Sequence, residues 1–156
     1  MQEIERKWLV KLEFIPRPLA SYSHKELVAG YFKDKDGEDV RIRKEGNKYF
    51  KVKKTGHGLV KDIGPGDIEI SKKEFDSLWS KTEKRRISKR RHYIKYGKFT
   101  IELDVYHDFK DFYTVEVEFK SVTGANRFTP PKWFGREVTD HIGYSSNSLA
   151  TKGIPR

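Results

Sequence analysis

The chain has 156 residues, with 33 lysines and arginines against 23 aspartates and glutamates, no cysteine, and a formal net charge of +10. That length suits one domain holding one sheet and a few helices, and the ten Phe, eight Tyr and three Trp supply the large apolar surfaces that a disordered chain lacks. Disulfides and thiolate metal sites are excluded, no apolar run approaches the roughly 18–20 residues that span a bilayer, and the start lacks a signal peptide's apolar core, so a cytoplasmic protein with no membrane partner is expected.

Residues 2–10 read as the first strand. Within it Glu3, Glu5 and Lys7 alternate, and because a strand turns every second side chain to one face, the three line one wall about 6–7 Å apart. Two carboxylates beside an ammonium suit a site that holds a divalent cation and a polyanion together, since carboxylates bind the hard metal and lysine takes a phosphate oxygen. Pro16-Arg17-Pro18 is a loop. Ser23 to Ala29 reads as a short helix, from which Gly30 leads into a strand carrying Tyr31 and Phe32. Lys33 to Gly37 forms the turn of a hairpin into Val40–Lys44, where Arg41 and Arg43 share a face opposite Val40 and Ile42, and Glu45-Gly46-Asn47 makes the next turn. Beyond that turn, apolar alternation puts Phe50 and Val52 outward, with Lys51 and Lys53 inward. Asp67-Ile68-Glu69-Ile70 alternates again. Ser71 to Thr82 is the clearest helix: Ser71-x-x-Glu74 is a capping box, and Phe75, Leu78 and Trp79 fall on one face that can cover the outside of a sheet. Lys89 and Arg91 share a face. Phe99 to Val105 sets Glu102 and Asp104 against apolar alternates, and Thr114 to Phe119 does the same with Glu116 and Glu118. Thr129 to Gly135 reads as a rigid turn carrying Trp133, and Tyr144 to Lys152 as a last short helix.

An ordinary antiparallel sheet turns such charges to bulk water. Here the sign of the charged set changes from strand to strand. About eight strands closed on themselves would enclose an interior able to hold a small ligand; that interior would be charged, and the apolar faces would look outward beneath helices and loops. Lys84 to Arg86 with Lys89 to Arg91 is the densest basic cluster, part of which reads as a solvated turn. No helix-turn-helix, zinc-finger or aromatic RNA-binding signature accompanies it, so sequence-specific nucleic-acid binding is not expected. The five histidines, His24, His57, His92, His107 and His141, show no metal-ligand spacing and read as surface residues.

Five segments follow one another in an order that resembles the CYTH superfamily, the triphosphate tunnel metalloenzymes, in its short bacterial form. They are Glu3-Ile-Glu5-Arg-Lys7-Trp-Leu-Val, Val40-Arg-Ile-Arg43, Ile101-Glu-Leu-Asp104-Val, Val115-Glu-Val-Glu118-Phe and Pro131-Lys-Trp-Phe-Gly-Arg-Glu-Val-Thr139. The resemblance implies an α+β fold: a single domain over residues 1–156 built on an eight-stranded antiparallel closed β-barrel, a tunnel with a charged interior and a few flanking helices. It implies a triphosphate-containing small-molecule substrate held with Mg²⁺ or Mn²⁺. Glu3, Glu5, Lys7, Glu116 and Glu118 would carry the chemistry, and Glu3, Glu5, Glu102, Asp104, Glu116 and Glu118 would face the metal. Lys7, Arg41, Arg43, Lys54, Lys61, Lys89 and Arg91 would hold phosphate oxygens.

Two places depart from the family pattern. Ungapped spacing from Arg43 makes Lys54 the inward lysine, whereas apolar alternation favours Lys53. Lys61 stands for the family's arginine and Asp67 for a glutamate, while the middle carboxylate of that strand gives way to Ile63-Gly64-Pro65-Gly66. The implied activity is hydrolysis of a terminal phosphoanhydride, with inorganic tripolyphosphate the first substrate to test. An adenylate cyclase of the same superfamily is the alternative, although Glu-x-Glu-x-Lys beginning at residue 3 leaves no room for the His-Phe extension those cyclases carry. A polyphosphate or nucleotide-binding module with little turnover is the third reading. A homodimer is compatible with the chain, but no residue argues for one.

Overall fold

Alternating charge and β-branched residues produce nine strands rather than eight in the computed structural model, which describes residues 1–156. They are β1 (Gln2–Val10), β2 (Ser23–Lys33), β3 (Asp39–Glu45), β4 (Lys48–Lys53), β5 (Val60–Asp62) and β6 (Ile68–Ile70), followed by β7 (Arg86–Tyr96), β8 (Phe99–Tyr106) and β9 (Tyr113–Phe119). Three short helices accompany them: α1 (Lys72–Trp79), α2 (Val122–Arg127) and α3 (Ser146–Lys152). All strand pairs are antiparallel, in the order β5-β1-β9-β8-β7-β2-β3-β4-β6. No helix is long and apolar enough to cross a membrane.

The expected closed eight-stranded barrel is not formed. Its closing strand is split by the Ile63-Gly64-Pro65-Gly66 segment, where proline offers no N–H to a ladder and Gly64 and Gly66 take φ of 56° and 88°. One half, β5, pairs with β1, and the other, β6, pairs with β4. The two margins of the open sheet are pinned at one point by the Thr55–Asp62 bridge, whose backbone hydrogen bonds measure 2.9 and 3.0 Å.

Ser23 to Ala29 is the start of β2 and not a helix. A seven-residue helix has little stability of its own, whereas this segment pairs with β7 along its length and with β3 from Leu27 onward. Gly30 is required there, because a Cβ would meet the Thr82 side chain at 2.6 Å.

Apolar residues cover the sheet from outside in two patches. Trp8, Val10, Ile94, Ile101, Leu103, Val115, Val117 and Phe119 pack beneath Ala125 and Phe128. Phe32, Val40 and Ile42 pack beneath Phe75 of α1, whose Ser71 cap accepts the Glu74 N–H at 3.0 Å. A third cluster joins Ala29, Tyr31, Ile87 and Tyr106 to Leu149 of α3. These residues share a face with the charged alternates of their strands, so one part of the concave side is apolar and is covered by the last helix.

Candidate active site

The concave face encloses a cavity of about 540 Å³, a size suited to a small ligand. Of the residues singled out from sequence, all but Asp104 line it. The ladders explain the convergence. Glu5 lies opposite Glu118, Lys7 opposite Glu116, and Glu116 opposite Glu102, so three neighbouring strands bring their carboxylates to one wall. Arg41 and Arg43 come from β3, and Lys89 and Arg91 from β7.

Lys54 is the inward lysine of its segment. Arg41 pairs with Val52 and Arg43 with Phe50, so Phe50 and Val52 share the arginines' side of the sheet, contrary to the alternation rule. Phe50 lies under the Arg43 guanidinium at 5.4 Å, and the outer apolar contact of β4 is made by Tyr49 against Phe75. Lys51 and Lys53 face out, toward Glu74 at 3.7 Å and Asp34 at 2.6 Å.

Glu3, Glu5 and Glu118 form the tightest acidic group, with one carboxylate oxygen from each lying within 4.8 Å of the others. Burial, then the charges of Glu116 and Glu3, push the Glu5 carboxyl up to about 8. Burial likewise lifts Glu118, helped by Glu3 and Glu116, and brings Glu102 to about 7 against the pull of Arg91. Carboxyls this reluctant to ionise together form a donor set that a divalent cation would satisfy, and oxygen donors alone suit hard ions rather than softer metals. Two lysines already lean on the group: Lys54 Nζ donates to Glu3 and Lys61 Nζ to Glu5, each at 2.9 Å.

Asp104 lies beneath the cavity floor, fully buried, forms an ion pair with Lys89 Nζ at 2.7 Å and accepts from Arg91 Nε and Nη2 at 2.7 and 2.9 Å. Burial opposes its charge, but Arg91 and Lys89 outweigh that and hold it below the usual carboxylate range. Glu116 is held well below its ordinary value in the same way, by Lys7, Arg91 and Lys89 against burial. Lys7 donates to the Tyr144 carbonyl at 2.7 Å and lies 3.4 Å from Glu116; burial works against its charge, and Tyr106, Glu116, Glu5 and Asp104 more than compensate.

The opposite wall is basic. Asp67 accepts from Arg41 and Arg43 at 3.2 and 3.1 Å and is not part of the Glu3, Glu5, Glu118 group, so the residue that stands for a family glutamate faces guanidinium groups instead. Arg85, which the basic cluster assigned to a solvated turn, lines the same cavity and lies 3.5 Å from Asp39. Its parity with Lys89 and Arg91 was the available signal. The Nε atoms of Arg41, Arg43 and Arg85 are all buried without a partner. His57 and His141 are exposed, as expected, and lie at the cavity lining, and the segment from Val138 to Lys152 supplies much of the remaining wall. Nothing in the strand pattern announced that segment, because it contributes scattered serines, threonines and one asparagine rather than an alternating set.

A family model for the CYTH domain matches residues 1–154. The chain is 37% identical over 158 aligned positions to the inorganic triphosphatase of Nitrosomonas europaea, covering 96% of this chain and 97% of that protein. A crystal structure of an inorganic triphosphatase superposes with a TM-score of 0.69 at 33% identity, covering 98% of this chain and 97% of that one. A putative adenylate cyclase from Bacillus halodurans shares the fold at a TM-score of 0.57 and 22% identity, covering 80% of this chain and 83% of that one.

Proposed function

The chain belongs to the CYTH domain family, and on that premise we propose that it is a divalent-metal-dependent triphosphatase that hydrolyses the terminal phosphoanhydride of inorganic tripolyphosphate. The observation that carries this reading is the convergence of Glu3, Glu5 and Glu118 on one wall of a cavity whose other wall presents Arg41 and Arg43. A cation and a polyanion together complement such a pair of walls, and neither alone does.

In the proposed reaction water adds to the terminal phosphorus, the bridging oxygen leaves with pyrophosphate, and orthophosphate is released. Glu3, Glu5 and Glu118 would hold Mg²⁺ or Mn²⁺, with Glu102 and Glu116 adding negative charge behind them. When bound, such an ion neutralises phosphate charge and acidifies water. The protein's own part is positioning and charge stabilisation, which is most of what phosphoryl transfer requires. Arg41 and Arg43 would grip non-bridging oxygens on one side, and Lys54 and Lys61 would turn from Glu3 and Glu5 toward phosphate. Lys89 and Arg91 would meet the chain from the floor, fixed in place by Asp104. Lys7, anchored to the Tyr144 carbonyl, would keep a compact positive charge beside Glu116.

Purified protein supplied with Mg²⁺ or Mn²⁺ should release phosphate from tripolyphosphate, and Glu5→Ala or Glu118→Ala should remove most of that release. Unchanged turnover in both variants would defeat the assignment, and cyclic AMP formed from ATP would replace it with the cyclase chemistry.

A further inference from the structure

Asp67 is a cavity carboxylate that the proposed chemistry does not use. Its Oδ1 accepts from Arg41 Nη2 at 3.2 Å and its Oδ2 from Arg43 Nη2 at 3.1 Å, so one side chain bridges both arginines of β3. The backbone accounts for its place. Ile63 N donates to the Met1 carbonyl and Gly66 N to the Ile63 carbonyl, each at 2.9 Å, which ties the Gly-Pro-Gly turn to the start of the chain; β6 then begins at Ile68 and pairs with β4. Asp67 is thereby fixed between the two margins of the open sheet, over the arginines rather than beside Glu3 and Glu5.

We propose, building on the triphosphatase reading above, that Asp67 is a resident counter-anion that competes with phosphate for Arg41 and Arg43 and so sets how strongly the cavity retains its product. A phosphate group gripping both guanidinium groups meets Asp67 at their Nη2 edges, and one held by the unpartnered Nε groups still lies within range of its charge. Pyrophosphate has fewer phosphate groups with which to reach the other cations of the cavity, so the carboxylate weakens its hold and favours release. Arg43 keeps Glu45 at 3.4 Å when Asp67 is neutralised, so the wall retains a second anchor.

The alternative is that Asp67 only props the arginines in place, and the two roles predict opposite signs. Pyrophosphate binding in the presence of Mg²⁺, measured by titration calorimetry, needs no turnover. Asp67→Asn and Asp67→Ala should each bind pyrophosphate at least about tenfold more tightly than the parent, because one unit charge even ~10 Å away at an effective dielectric near 20 has that effect and Asp67 sits closer. Asp67→Glu, which restores the charge, should bind like the parent. Unchanged or weaker binding in both neutral variants would overturn the proposal. Tripolyphosphate turnover by the parent, measured separately, keeps the two readings apart: tightening without turnover removes the hydrolase and leaves the counter-anion, whereas turnover without tightening removes the counter-anion alone.

Discussion

Replacing Asp104 with asparagine tests whether this carboxylate supports the site from below or acts as one of its metal ligands. The substitution keeps the side chain's volume and removes its charge. Asp104 is fully buried and closes three short contacts with two cations, Lys89 at 2.7 Å and Arg91 at 2.7 and 2.9 Å. Arg91 retains Glu102 at 2.7 Å, but Lys89 loses its only close carboxylate, and an amide N–H₂ is turned toward positive charge. Breaking a buried ion pair by removing one partner costs about 3–5 kcal/mol. In a chain of this size each kcal/mol moves the midpoint by about 2–4 °C, so thermal melts followed by circular dichroism should show Tm falling by roughly 6–20 °C. Glu118→Gln is the control from the acidic group itself. It removes a charge that its neighbours Glu3 and Glu116 resist, so without metal its Tm should not fall. The reasoning is refuted if Asp104→Asn melts within about 2 °C of the parent while the Mg²⁺ concentration needed for half-maximal stabilisation rises tenfold or more. That pair of results would make Asp104 a ligand.

Two further substitutions test the frame around the cavity. Gly30→Ala places a Cβ 2.6 Å from the Thr82 side chain, which is itself fully buried, so urea unfolding should show a loss of about 1–3 kcal/mol; an unchanged midpoint would mean that the turn at Ser80–Thr82 yields freely. His92 is buried on the outer side of β7, 5.3 Å from the His24 ring, with Nδ1 unpartnered, and burial, then His24 and Arg90, lower its pKa. The unfolded chain therefore takes up this proton first, and His92's contribution to stability falls as pH drops below about 6.5, against the gain from Glu5 and Glu102, whose raised carboxyls take up protons first in the folded state. His92→Leu should make Tm rise more, or fall less, than the parent's between pH 7 and 5, and an identical slope in parent and variant would exclude His92 as a contributor.

The charged interior was legible in the sequence because a strand's period is 2 and its hydrophobic alternates must be buried. Once Val115 and Val117 face outward beneath Phe128, Glu116 and Glu118 have one direction left, and the same holds for Arg41 and Arg43 against Val40 and Ile42. The rule failed where an aromatic residue served a cation instead of the core. Phe50 lies beneath Arg43, and counting it as an outward residue gave the wrong phase for β4, whereas spacing from Arg43 gave Lys54 correctly. It was silent where the chain stops alternating. Leu149 reaches the concave face from a helix and carries no strand's signature. Closure was the largest miss, and its cause was visible: Ile63-Gly64-Pro65-Gly66 interrupts the closing strand. Proline can serve an edge strand, so composition alone left open whether the break would bulge or separate the strand into halves. Pairing settles that, because β5 stays with β1 and β6 with β4. The separation is also what lets Asp67 leave the carboxylate wall and rest on the arginines, so the departure from family pattern that looked like a lost metal ligand is equally the gain of a contact on the phosphate side.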